Sequence, residues 1–157
     1  MKFGKLAALI AFVAPSAPNS AMAHADHEAS AYGHPGEASR VSRTIKVEMT
    51  EYAFSLADLS VNTGETVKFV ISNHGKLKHE MTIGSEAEQL IHRKEMEAMS
   101  DMGHDEGKHE MPDNALHLAP GETKEVIWQF TKAGKIEFAC NYPGHADLGM
   151  LGNISIE

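Results

Sequence analysis

Short segments in which apolar and polar residues alternate constrain the fold of this chain most strongly. Residues 44–49, 66–73 and 126–130 each place apolar side chains at every second position, and a turn pattern at 62–65 separates the first two. A period of two is typical of a strand with one buried face. The same reasoning predicts strands at 80–83, 136–138 and 151–156. Short strands separated by turns predict an all-β fold, as a sandwich or a barrel.

One segment interrupts this series of strands. Ser85 and Glu88 have the spacing of a capping box, which marks the start of a helix. Four apolar residues then fall roughly on one helical stripe: Ala87, Leu90, Ile91 and Ala98. We expect the helix to end near Gly103 and an irregular loop rich in acidic residues, His and Met to follow. Residues 85–116 are therefore predicted to be an inserted helix and an acidic His/Met loop.

The N-terminus has the pattern of a secretory signal peptide. Lys2 and Lys5 precede and flank an apolar run at 6–13, and Ala-Met-Ala at 21–23 fits signal-peptidase cleavage. The run is too short to cross a bilayer, which takes ~20 apolar residues, and no later stretch is long enough either. The sequence therefore predicts a cleaved signal peptide at 1–23, export to the periplasm and no membrane span.

The segment that follows the predicted cleavage site shows no apolar periodicity. Residues 24–42 hold His24, His27 and His34 among Ala, Ser, Pro and Gly. We predict a flexible His-containing arm at 24–42 and a single domain at 43–157.

Composition narrows the function. The 157 residues include 10 His, 9 Met and one Cys, and the formal net charge is -8. One Cys excludes an internal disulfide and a structural zinc site of several cysteines. The negative charge argues against a nucleic-acid partner, because phosphate binding needs clustered Lys and Arg. His, Met and Cys together favour a soft or borderline metal, copper above all.

A pattern near the C-terminus is the strongest indication of a site. Cys140, His145 and Met150 follow one another at intervals of five residues on a turn-rich loop, and His79 begins another predicted strand. Two imidazoles, a thiolate and a weak thioether form the ligand set of electron-transfer copper sites. His74 competes with His79 but lies in a turn. The alternative is that the cysteine and the methionine are ordinary core residues.

These segments resemble a known family. The stretches at 63–69, 73–81, 119–123 and 138–150 are similar to the cupredoxins, the small blue-copper proteins that include plastocyanin, pseudoazurin and azurin. Among these the chain most resembles bacterial periplasmic copper-tolerance cupredoxins, over about 43–157. The resemblance implies a Greek-key β-sandwich with one copper per chain at one end. The implied ligands of this type 1 copper are His79, Cys140, His145 and Met150.

Two features depart from the family pattern, one spacing and one residue. Four residues separate Cys140 from His145, where plastocyanin-like members usually have two, and Glu80 stands where Asn usually follows the first His ligand. That neighbour normally helps to fix the hydrogen bonds around the thiolate. The resemblance therefore does not imply the reduction potential, and both a blue and a green site stay open.

The resemblance implies an electron-transfer protein, a copper-tolerance protein, or both. We expect a monomer whose redox partner docks near the exposed edge of His145. An enzyme of the copper-oxidase or nitrite-reductase kind is not expected, because the sequence contains no His-x-His pair and no His-Cys-His segment.

The alternative function is a copper chaperone or storage protein that uses additional His and Met residues. Thioethers and imidazoles in the insertion form a candidate second copper site: Met96, Met99, Met102, His104, His109 and Met111. His92 would share a helical face with the first two of these. The competing interpretation is a helix that packs its methionines on the sandwich, followed by a solvated loop. We interpret His117 as a structural surface residue.

Overall fold

The computed structural model describes residues 30–101 and 112–157. These residues form strands, a short 3-10 helix (Ala38–Arg40) and one α-helix, α1 (Glu86–Asp101). The strands are β1 (Gly33–Pro35), β2 (Arg43–Thr50), β3 (Ala53–Phe54), β4 (Asp58–Val61), β5 (Thr66–Asn73), β6 (His79–Gly84), β7 (Ala115–Leu118), β8 (Thr123–Phe130), β9 (Gly134–Ala139) and β10 (Leu151–Ile156). Among the described residues, no helix has the length and apolarity needed to cross a membrane.

The strands form two five-stranded sheets. One has the order β1-β8-β5-β2-β3 and the other β4-β10-β9-β6-β7. The chain passes repeatedly between the sheets, so that β5 and β6, which are consecutive in sequence, lie in different layers. The apolar residues of both sheets form one core that includes Phe69, Trp128 and Phe138. The predicted all-β sandwich with an inserted helix is confirmed.

The prediction of a flexible arm is wrong for part of 24–42. Gly33–Pro35 is an edge strand, paired antiparallel with Trp128–Phe130 of β8. Gly33 lies so close to the Trp128 indole that any Cβ there would collide with the ring. The contact with Trp128 requires a glycine rather than an apolar side chain, and this strand therefore shows no apolar alternation. Residues 24–29, like the predicted signal peptide at 1–23, lie outside the described residues.

Helix α1 begins as predicted but buries a different face. The Ser85 N–H donates to Glu88 Oε2 (2.5 Å) and the Glu88 N–H donates to Ser85 Oγ (3.3 Å), which completes the capping box. Leu90 and Ile91, however, are exposed, as are the other two residues of the predicted apolar stripe. The buried side carries Gln89 and Met96. The helix packs on β6 and β9.

The end of the predicted insertion also needs correction. Residues 115–116 belong to β7 (Ala115–Leu118), which pairs with β6 at the edge of the second sheet. The insertion therefore ends before Ala115. Most of the predicted acidic His/Met loop, 102–111, lies outside the described residues.

Candidate metal centre

The centre lies at one end of the second sheet, where β6, β9 and β10 are neighbours. His79 is the first residue of β6, and Cys140 directly follows β9. The loop from Cys140 to Met150 returns the chain to β10. Its ends are tied together, because the Cys140 N–H donates to the Met150 carbonyl (3.0 Å) and the Met150 N–H donates to the His145 carbonyl (3.1 Å). Backbone hydrogen bonds therefore fix the loop that carries three of the four predicted ligands.

Two glycines allow this loop to turn so tightly. Gly144 and Gly149 have φ of 81° and 97°, in the left-handed region where a side chain is strained. Gly144 directly precedes His145, and Gly149 directly precedes Met150. The glycines thus set the course of the backbone directly before these two predicted ligands.

Three metal-ligating side chains converge at this end of the sandwich, and we call them the Cys140 cluster: His79, Cys140 and His145. His145 Nδ1 lies 3.3 Å from Cys140 Sγ, and His79 Nδ1 lies 3.9 Å from it. The three ligand atoms lie within 4.8 Å of one another. Nitrogen and sulfur donors lie ~2.0–2.3 Å from a bound first-row metal ion, so separations of this size suit a single shared ion.

His79 offers only one ring nitrogen to a metal. Its Nε2 is buried and has no hydrogen-bond partner among the described residues, and a Cβ at Gly75 would lie 3.2 Å from it. Nδ1 faces Cys140 and is the nitrogen left for an ion. His74, the competing residue, is exposed and is not part of the cluster.

The environment favours the neutral form of the two imidazoles and the protonated form of the thiol. Burial lowers the pKa of His79, and the nearby His145 lowers it further; burial also lowers the pKa of His145. Burial raises the pKa of Cys140 to about 12. Two backbone N–H groups nevertheless point at Sγ, those of Glu80 (3.4 Å) and Tyr142. Neutral imidazoles are the form that binds metal, and a bound cation displaces the thiol proton.

Met150 is fully buried at the end of the same loop, next to Cys140 through the backbone hydrogen bond between them. Among the predicted second-site residues, Met96 is also fully buried, within the hydrophobic core, and Met99 packs against that core. Met96 and Met99 therefore contribute to packing. The other four residues of that candidate site lie outside the described residues: Met102, His104, His109 and Met111.

A second group of side chains lies directly behind the Cys140 cluster, and we call it the Glu80 cluster: Glu80, His92 and His117. Glu80 is completely buried. His117 Nε2 lies 2.8 Å and His92 Nε2 lies 3.3 Å from Glu80 Oε2. Because a carboxylate only accepts hydrogen bonds, both imidazoles donate from Nε2.

The Glu80 carboxylate is held in its charged form. Burial alone raises the pKa of Glu80, but the hydrogen bonds from His117 and His92 outweigh that effect and hold the pKa at about 2. Burial lowers the pKa of His92, and its hydrogen bond to Glu80 reverses this, so that the pKa is raised. The interpretation of His117 as a structural residue holds, but its placement at the surface needs correction: it is half-buried and pairs across the sheet with Glu80.

Two tyrosine rings lie near His145 of the Cys140 cluster. The Tyr52 ring meets the His145 ring edge-on at 5.1 Å between centroids. Tyr142 lies between the two clusters, with ring centroids 5.8 Å from His145 and 5.5 Å from His117. The sequence analysis missed both tyrosines and the Glu80 cluster, although it noted that Glu80 replaces an Asn.

A two-sheet β-sandwich with two histidines around a buried cysteine at one end defines the cupredoxin class, and the donor set fits copper. Over residues 41–157 the chain matches the model of the copper-binding proteins of the plastocyanin/azurin family, and it belongs to that family. Copper is the metal of this family.

Relatives and solved structures agree with this assignment. The chain is 42% identical over 135 residues to the copper-resistant cuproprotein CopI of Rubrivivax gelatinosus, covering 85% of this chain and 78% of the relative. It is 38% identical over 151 residues to a protein of the same name from Pseudomonas aeruginosa, covering 81% and 83%. A dithionite-reduced auracyanin from Roseiflexus castenholzii superposes with a TM-score of 0.60 at 25% identity, covering 74% and 98%.

Proposed function

We propose that His79, Cys140, His145 and Met150 bind one redox-active type 1 copper, and that the protein works in the periplasm in copper tolerance and electron transfer. The observation that supports this most directly is the convergence of the two Nδ1 atoms on Cys140 Sγ at 3.3 and 3.9 Å. Thiolate and thioether favour Cu(I) and imidazole also suits Cu(II), so one ligand set serves both oxidation states. The name of the two relatives supports the role in copper tolerance.

The bound copper would supply a one-electron couple, and the protein would keep its ligands in place. Cys140 and His79 are buried, which excludes water from the thiolate and from one imidazole. His145 is half-buried and is the member of the cluster nearest the solvent. Leu148, 63% exposed, lies on the same loop. We propose that a redox partner docks on this exposed part of the loop, beside His145. We assign no catalytic reaction to the chain.

The storage alternative depends on the candidate second site. Met96 and Met99 contribute to packing, and the other four candidate ligands lie outside the described residues. A copper count therefore separates the two functions. One tightly bound copper supports the type 1 proposal, and several support storage.

The decisive experiment is a visible spectrum of the mature protein with Cu(II). We expect an intense thiolate-to-copper charge-transfer band, reversibly bleached by a mild reductant, and one tightly bound copper. The Cys140→Ser variant should lose the band, because the thiolate is its source. The exposed His74→Ala variant is the matched control and should keep it. A coloured Cys140→Ser protein would contradict the ligand assignment.

A second measurement tests the biological role. A bacterial strain that lacks its own copy of this protein should regain growth on copper when it produces the wild-type chain. The Cys140→Ser protein should not restore growth. Equal rescue by both proteins would show that the type 1 site is not the source of tolerance.

A further inference from the structure

The inserted helix α1 contacts the shell of residues directly behind the Cys140 cluster. Gln89 and His92, one helical turn apart, face this shell. Gln89 Oε1 accepts from Asn141 Nδ2 (2.8 Å), and His92 Nε2 donates to Glu80 Oε2 (3.3 Å). Asn141 follows Cys140 in the chain, and Glu80 follows His79. The helix therefore bonds to the sequence neighbours of two predicted copper ligands.

The other oxygen of the Glu80 carboxylate holds the backbone beside the thiolate. Glu80 Oε1 accepts from the Asn141 N–H (2.8 Å) and from the Thr82 hydroxyl (3.3 Å). The Glu80 N–H itself donates to Cys140 Sγ (3.4 Å). Glu80 thus bonds to the Cys140 sulfur through its backbone N–H and to the backbone N–H of Asn141 through its side chain.

A buried carboxylate is costly unless every oxygen is satisfied, and here four donors meet it. They come from three other parts of the chain: His92 on α1, His117 on β7 and Asn141 after β9, with Thr82 on its own strand. Losing one partner leaves the charge less well solvated and frees the remaining groups to move. A buried carboxylate with all of these hydrogen bonds holds the surrounding backbone and side chains in one local geometry.

We propose that Glu80 is a positioning residue that fixes the Cys140 loop and lowers the reduction potential of the bound copper, and that His92 of the inserted helix holds Glu80 in place. This inference rests on the proposed type 1 site. Oxidised copper carries one more positive charge than reduced copper, so a buried negative charge beside the thiolate stabilises the oxidised form.

The test compares Glu80→Gln, which keeps the shape and removes the charge, with His92→Phe, which keeps a ring and removes the donor. Glu97→Gln removes an exposed acid from the same helix and is the matched control. The potential of every variant is measured at the same pH. Amide hydrogen exchange at Asn141 is measured in the metal-free protein.

We expect Glu80→Gln to shift the Cu(II)/Cu(I) balance at a fixed potential about tenfold toward Cu(I), since residues that hold metal ligands typically change affinity ~10–100-fold. His92→Phe should shift it in the same direction by less. Both variants should speed exchange at Asn141, and Glu97→Gln should change neither quantity.

Several outcomes would overturn this assignment. If both variants fold and keep the wild-type potential and the wild-type exchange at Asn141, the Glu80 cluster only packs the helix. A lower thermal midpoint without either change leads to the same conclusion. If Glu80→Gln does not fold, His92→Phe alone decides. If the wild-type protein shows no charge-transfer band with Cu(II), the proposed function fails, while unchanged exchange at Asn141 would separately refute the positioning role.

Discussion

The Cys140 cluster and the Glu80 cluster each place two histidines around one group, and the histidines behave in opposite ways. Around the thiol, burial lowers the pKa of both imidazoles, and the Nδ1 atom of each lies toward the sulfur. Around the carboxylate, both imidazoles donate from Nε2, and the pKa of His92 is raised. In the proposed copper site, the central group thus decides whether a histidine would serve as a metal ligand or donates a hydrogen bond.

The two clusters also differ in what completes them. The Glu80 carboxylate has four donors, so its cluster is satisfied by the protein alone. In the Cys140 cluster three metal-binding atoms face one another, and the proposed copper ion would complete the arrangement. The Glu80 cluster should therefore govern the stability of the fold, and the Cys140 cluster should govern copper affinity.

The variant with the largest expected effect tests this difference between the two clusters directly. His79→Ala should weaken copper binding by at least ~1000-fold, beyond the ~10–100-fold typical of residues that only support ligands, because it removes a metal donor. His117→Phe, the matched change in the other cluster, should stay within that smaller range. Competition with a coloured Cu(I) chelator measures both. Equal losses of copper affinity in the two variants would show that the Cys140 cluster is not the main determinant of copper binding.

The strands of the fold could be predicted where alternation extends over enough residues. The patterns at 66–73 and 151–156 match β5 and β10 in full. Strands β1, β3, β4 and β7 were missed because each has four residues or fewer, too short for a period of two to stand out. These short strands lie at the edges of the sheets.

The helix shows why hydrophobicity alone can choose the wrong face. Leu90 and Ile91 suggested a buried stripe, yet they are exposed. Gln89 is buried and His92 half-buried because Asn141 and Glu80 provide hydrogen-bond partners for them. A polar residue with a partner in the fold is buried at little cost, and a single sequence does not reveal that partner.

The two clusters differed in how visible they were in the sequence. Three of the predicted copper ligands lie on one loop of eleven residues, so their spacing could be recognised. The Glu80 cluster joins residues 12 and 37 positions apart along the chain. Only the pairing of β6 with β7 and the packing of α1 bring them together.

The second prediction concerns acid stability of the metal-free protein and isolates the Glu80 cluster. The folded pKa of Glu80 is about 2, against an ordinary value of 4.5. Its stabilisation is therefore complete above pH 4.5 and is lost as the pH falls toward 2, and it amounts to about 3 kcal/mol. The contribution of His92, whose pKa is raised, is complete below its ordinary value of 6.5 and is lost as the pH rises through the folded pKa, so it does not change in this window.

Glu80→Gln should accordingly lower the free energy of unfolding at neutral pH by about 3 kcal/mol and flatten its fall between pH 4.5 and 2. Urea unfolding at a series of pH values measures this. Glu97→Gln should run parallel to the wild type. A Glu80→Gln curve that keeps the wild-type slope below pH 4.5 would assign the acid sensitivity to other groups.

The smallest expected effect concerns the axial position of the Cys140 cluster. Met150→Leu should keep copper bound and raise the reduction potential on the order of 60 mV, a tenfold change in preference, because loss of the thioether destabilises Cu(II) more than Cu(I). Both Met150 and Met81 are buried, and Met81 lies on β6 two residues beyond His79. Met81→Leu is therefore a control for packing, since such a swap costs less than ~1.5 kcal/mol. Voltammetry of the two variants decides the role: a rise confined to Met150→Leu supports the axial ligand, and equal potentials in both would make Met150 an ordinary core residue.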